Sequence, residues 1–84
     1  MRVDADPNSP DYWARDFIRA PTVKLDGKVL DYVRWADDST GLVNVYLYDG
    51  NQPVIEDNHL VHQTLSGRVT FEFEDSDLRP YPLR

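Results

Sequence analysis

From Thr22 onward, apolar side chains recur at every second position, and short polar clusters cut the run into pieces. A period of two places successive side chains on opposite faces of a strand, whereas a helix would repeat about every 3.6 residues. The pattern predicts strands over residues 22–25, 28–36, 42–48 and 68–74. Asp26-Gly27 separates the first two and is a two-residue hairpin signal. Asp37-Asp38-Ser39-Thr40-Gly41 reads as a five-residue loop, and Asp49-Gly50-Asn51-Gln52-Pro53 as the next reversal. Residues 54–66 read two ways: strands at Val54-Ile55 and His59–Leu65, or one long loop.

The turns fix which residues face each other. Pairing Ala36 with Leu42 across the loop sets Trp35 opposite Val43 and Val33 opposite Val45. The other face then carries Tyr32 opposite Tyr46 and Leu30 opposite Tyr48, and pairing Leu25 with Lys28 brings Val23 to the Leu30 side. Both faces are apolar, while an antiparallel sheet with one wet side is polar on that side. Each face therefore needs a cover. Trp13 and Phe17 supply one, and the Val69/Phe71/Phe73 strand, or a partner, supplies the other.

The ends read differently. Residues 1–8 are polar and aperiodic, a flexible arm. Ser9 suits a helix N-cap, Pro10 the first helical position, and Asp11 the first turn. Trp13/Phe17 and Ala14/Ile18 repeat at helical spacing until Pro21, so residues 10–19 are expected to form a short helix within a segment spanning 9–20. The sheet occupies 21–74, and residues 75–84 form an extended tail rich in proline. The whole is one mainly β domain. It is expected to be an antiparallel meander of four to five strands with one short helix, closing as a small barrel or roll or staying open. Its expected core is Trp13, Phe17, Val33, Trp35, Val43, Val45, Leu47, Val69, Phe71 and Phe73.

With 84 residues, one domain is the natural size. Stability of roughly 4–12 kcal/mol follows from that length. The chain has no cysteine, which excludes disulfides, thiolate metal sites and a cysteine nucleophile. It has no apolar run near the ~18 residues of a membrane span and no apolar secretion segment, so a soluble, cytoplasmic protein is expected. Fifteen acidic against nine basic residues give a net charge of −6, so no general attraction to nucleic acid or anionic lipid is expected.

Candidate sites are few. The serines lack a nucleophile elbow or a spaced His and Asp, and they read as caps and loop residues. Of the twelve aspartates, Asp26, Asp37, Asp38 and Asp49 precede or occupy reversals. No catalytic residues and no cofactor are expected. Glu56, Asp57, His59 and His62 form the one mixed ligand cluster, but the two histidines share a face on a helical turn and not on a strand. The cluster reads as loop surface, with no metal. Tyr32, Arg34, Tyr46 and Tyr48 fall on one predicted sheet face, a composition typical of protein interfaces, with Tyr81 in the tail as an outlying anchor. The same tyrosines read equally well as core. Glu72, Glu74, Asp75 and Asp77 form an acidic run that either solvates an outer strand or mimics nucleic acid toward a basic enzyme.

Ser9-Pro10-x-Tyr12, Phe17, Val23-x-Leu25-Asp26-Gly27-x-Val29 and Ala36-Asp37-Asp38-x-x-Gly41 resemble the pattern of small uncharacterised proteins encoded in tailed-phage and prophage genomes. The resemblance covers residues 7–45 and rests on turn chemistry. It implies a bacterial cytoplasmic setting and carries no catalytic residue across. The expected function is therefore a non-catalytic phage or prophage accessory module that binds another protein or itself. The alternatives are an acidic inhibitor of a nucleic-acid enzyme and a homo-oligomeric virion or assembly component.

Overall fold

A computed structural model describes residues 1–80. Its strands, in chain order, are β1 (Arg2–Asp4), β2 (Thr22–Leu25), β3 (Lys28–Val29), β4 (Val33–Asp37), β5 (Leu42–Tyr46), β6 (Tyr48–Asp49), β7 (Gln52–Pro53), β8 (Ile55–Glu56), β9 (His59–Leu60), β10 (His62–Ser66) and β11 (Val69–Glu72). One antiparallel sheet has the order β1-β4-β5-β10, and a second has the order β11-β2-β3. The pairs β6–β7 and β8–β9 are separate hairpins. The protein is mainly β, and its sheets are open rather than closed into a barrel.

The two larger sheets share one core. Ala36, Val43 and Val45 from the first meet Val23 and Val69 from the second, with Leu25, Leu30, Val33, Leu65 and Phe71 around them. The inner face of the β4–β5 sheet is thus covered by the Val69/Phe71 strand, the arrangement that its apolar pattern requires. Leu25 pairs with Lys28, and Asp26 and Gly27 both take positive φ, at 51° and 83°. This matches the hairpin signal.

The β4–β5 register differs from the expected one. Asp37, not Ala36, pairs with Leu42, and Ala36 faces Val43. The Asp37 carboxylate accepts the Ser39 N–H at 2.9 Å, and its carbonyl accepts the Gly41 N–H at 3.1 Å. Asp37 therefore starts the turn as well as ending the strand, which shortens the loop by one residue. A shift of one residue reverses faces. Ala36 enters the core at 0 % exposure, and Trp35 turns to the outer face beneath the Arg2 guanidinium, 4.5 Å from the ring centre. A register break between Val33 and Trp35 lets Val33 keep its place opposite Val45.

The ends depart further. The expected helix over 10–19 is one 3-10 turn, Trp13–Arg15. Fewer than three turns rich in Asp and aromatics cannot offset the cost of nucleation. Competing bonds are also closer at hand: the Ser9 hydroxyl accepts the Asp11 N–H at 3.1 Å, and the Asp11 carbonyl accepts the Asp4 N–H at 3.0 Å. The first residues are not an arm, because Arg2–Asp4 adds β1 to the edge of β4. The tail folds back. After a 3-10 turn at Asp75–Asp77, Leu78 bridges Phe17, and the Arg79 side chain donates to the Ala14 carbonyl at 2.7 Å. Of the expected core, Phe17, Val43, Val45 and Val69 are buried. Trp13, Val33, Trp35, Leu47 and Phe71 are half-buried, while Phe73 is exposed and meets the Phe17 ring edge-on at 5.0 Å.

The stretch that read two ways, 54–66, is built of strands. It is anchored by a closed triangle of backbone bonds. Val54 N–H donates to Leu47 C=O at 3.0 Å, Val61 N–H to Val54 C=O at 2.9 Å, and Leu47 N–H to Val61 C=O at 2.9 Å. The β6–β7 and β8–β9 hairpins project from this triangle. The second turns through Asp57 and Asn58, both at positive φ, a conformation that Asp and Asn tolerate better than other side chains.

Candidate functional site

The four residues predicted to share a face do not stay together. Tyr46 lies on the outer face of the first sheet, half-buried, with its ring edge-on to His62. The chain turns away after Tyr46, and Tyr48 begins a hairpin. There Tyr48 stacks on Tyr32, with ring centres 3.6 Å apart and planes at 12°. Both rings remain exposed, at 50 % for Tyr32 and 39 % for Tyr48. Tyr81 lies outside the described residues.

The backbone supports this placement at a cost. Tyr32 sits at φ 60°, a region that bulky side chains avoid, with a penalty on the order of 1–3 kcal/mol. The left-handed residue lies between β3 and β4, immediately before Val33, and its carbonyl accepts the Tyr46 N–H at 3.0 Å. Beside the ring pair lies a pocket of about 290 Å³. Trp13, Pro21, Val29 and Leu30 give it apolar walls, and Tyr32 and Arg34 line it as well. Arg34 is half-buried, and its guanidinium makes no ion pair among the described residues. The site therefore combines a flat aromatic surface, a mainly apolar recess, and one charged side chain of each sign at its lining, Arg34 and Asp31.

The acidic residues occupy a different place. Glu72, Glu74 and Asp77 line a wide groove of about 1020 Å³, together with Ile18 and Phe73. Their charges are partly committed. Lys24 Nζ lies 2.6 Å from Glu72, while Glu74 and Asp77 cap the short turn reciprocally through each other's backbone N–H. Asp75 is exposed in that turn.

His59 and His62 fall on separate strands. His59 pairs with Glu56 across a hairpin, and His62 Nδ1 lies 3.0 Å from Asn44 Nδ2. No group of three metal-binding side chains occurs among the described residues.

Sequence reasoning missed Asn44, which is 3 % exposed in the outer face of β5. Its amide donates to the Thr64 hydroxyl at 3.1 Å, yet its Oδ1 is buried without a partner among the described residues. The alternation around Asn44 signals a strand, but its burial comes from neighbours on both flanking strands, with Trp35 opposite it on β4 and Thr64 opposite it on β10. No helix among the described residues is long and apolar enough to cross a membrane. No family model matches the chain, and no curated protein or solved structure is significantly similar to it.

Proposed function

We propose that this chain is a non-catalytic protein-binding module whose contact surface is Tyr32, Tyr48 and Arg34. The resemblance to small phage and prophage proteins makes an accessory role the natural setting. The single observation that carries the reading is the exposed Tyr32–Tyr48 stack, held by a left-handed tyrosine beside an apolar recess. A strained residue whose side chain stays half-exposed persists where its surroundings impose it, often at recognition sites. Stacked tyrosines offer rigid contact area at low entropic cost, and Arg beside aromatics is typical of binding hot spots. A partner with an apolar anchor flanked by a carboxylate suits this surface.

The acidic-inhibitor reading has less behind it, because Lys24 already neutralises Glu72. The test is paired. Tyr32→Ala with Tyr48→Ala is expected to lose a partner that the parent chain retains, with an unchanged circular dichroism spectrum. Glu74→Gln with Asp75→Asn is expected to keep that partner. Binding that follows the acidic pair, and fades steeply with salt, would replace this reading with the inhibitor.

A further inference from the structure

The free edge of β10 adds a partner to the protein-binding reading, on which this inference rests. The direction of each backbone group along the strand follows from its neighbours. Val61 C=O accepts from Leu47 and Gly67 N–H donates to Gly41 C=O, so the odd-numbered residues face β5. By the alternation of an antiparallel ladder, His62, Thr64 and Ser66 turn their N–H and C=O groups outward. Among the described residues nothing bonds to those groups, and all three residues are exposed.

Open edges are normally blunted by charge, proline, a bulge or a covering segment. The other edges of the two larger sheets have such protection. On β1, the Asp4 N–H is taken by the Asp11 carbonyl and Asp4 bridges Tyr12; β3 is two residues long with Lys28 at its start; β11 carries Glu72. The β10 sequence, His-Gln-Thr-Leu-Ser, has no proline, lysine or acidic residue, and its pairing with β5 runs without a bulge.

We infer that β10 pairs antiparallel with β10 of a second copy, about a two-fold axis at Thr64, joining two four-stranded sheets into one. The outward residues are symmetric about Thr64. One register therefore sets Thr64 opposite its own copy and His62 opposite Ser66 of the other chain, so every outward group finds a partner. Threonine opposite threonine is a favourable cross-strand pair. No carboxylates are brought face to face, which matters for a chain of net charge −6. Leu65 keeps its place against the core, so pairing needs no repacking. With β1 capped, assembly closes at two copies instead of extending into a fibre.

The test uses the full chain. Light scattering after size exclusion, from low to high micromolar, is expected to show the mass rising toward twice the 9.8 kDa monomer. The amides of His62, Thr64 and Ser66 are expected to gain exchange protection in step. Thr64→Lys sets like charges opposite each other and weakens association by roughly tenfold or more. Because that change also removes the hydroxyl bonded by Asn44, Ser66→Lys is the second variant; no hydrogen bond among the described residues uses the Ser66 side chain. A monomer at every concentration overturns the inference. So does a dimer whose edge amides stay unprotected, or one that survives Ser66→Lys. Dimer loss in Tyr48→Ser but not in Ser66→Lys would move self-association to the tyrosine surface, leaving the protein-binding reading intact while the edge fails.

Discussion

The sandwich and the hairpin end are built on opposite terms. In the sandwich, side chains do the work: Val43 and Ala36 are fully buried, and two sheets meet over aliphatic carbon. At the hairpin end, the backbone does. The Leu47–Val54–Val61 triangle fixes the geometry, while Ile55 and its cross-strand neighbour Leu60 stay 60 % and 46 % exposed. Apolar burial scales with area, so the first region holds the stability, and the second opens at lower free energy. Tyr48 belongs to the second region, and Tyr32 stands at the seam.

That contrast can be broken by substitution. Val43→Ala should cost about 2–3 kcal/mol in a denaturant titration, a large share of the total for a domain of this size. A smaller loss would mean that the sandwich is not the stabilising half. Gly41→Ala comes next. A Cβ there would lie 2.6 Å from the Gly67 carbonyl oxygen at φ +70°, and about 1–3 kcal/mol of destabilisation is expected. Asn44→Val is expected to come out near neutral, within about 1 kcal/mol. It removes a buried amide oxygen without a partner among the described residues and adds a β-branched side chain to a strand, but it also gives up the Nδ2 contacts to Thr64 and His62. Smallest is Ile55→Ser with Leu60→Ser, expected to stay within about 0.5 kcal/mol because both side chains are exposed. Hydrogen exchange sharpens the same contrast: β4 and β5 amides should exchange only through global unfolding, and β8 and β9 amides through local opening.

The legible parts of the sequence were those where local chemistry and global packing agree. Asp26-Gly27 announced its hairpin, and the Val43/Val45 and Val69/Phe71 alternations announced two faces that had to meet. The illegible parts turned on competition. Ser9-Pro10-x-x-Trp13 carries real helix signals, yet Asp4 takes the Asp11 carbonyl and the segment never closes a second turn. Arg2–Asp4 is too short to show a period, and only the vacant edge of β4 makes it a strand. Asp37 could end a strand or begin a turn; it does both, and the one-residue consequence exchanged Trp35 for Ala36 in the core. Of the predicted tyrosine face, alternation placed Tyr46 and Tyr48 together, but the divergence at Leu47 is set by bonds to Val54 and Val61, far along the chain. Tyr32, expected opposite Tyr46, stacks its ring on Tyr48 instead, and it does so from a left-handed backbone position that no pattern reveals.

The central claim is that this ring pair is presented on the fold and does not hold it up. Denaturant unfolding of Tyr32→Gly tests it most directly. Glycine accepts φ 60° without strain, a gain of about 1 kcal/mol or more that offsets the loss of a stack worth roughly 0.5–1.5 kcal/mol. The variant should therefore match the parent within about 1 kcal/mol. A loss beyond about 3 kcal/mol, the range of a deleted core aromatic, would contradict the account and return Tyr32 to the core.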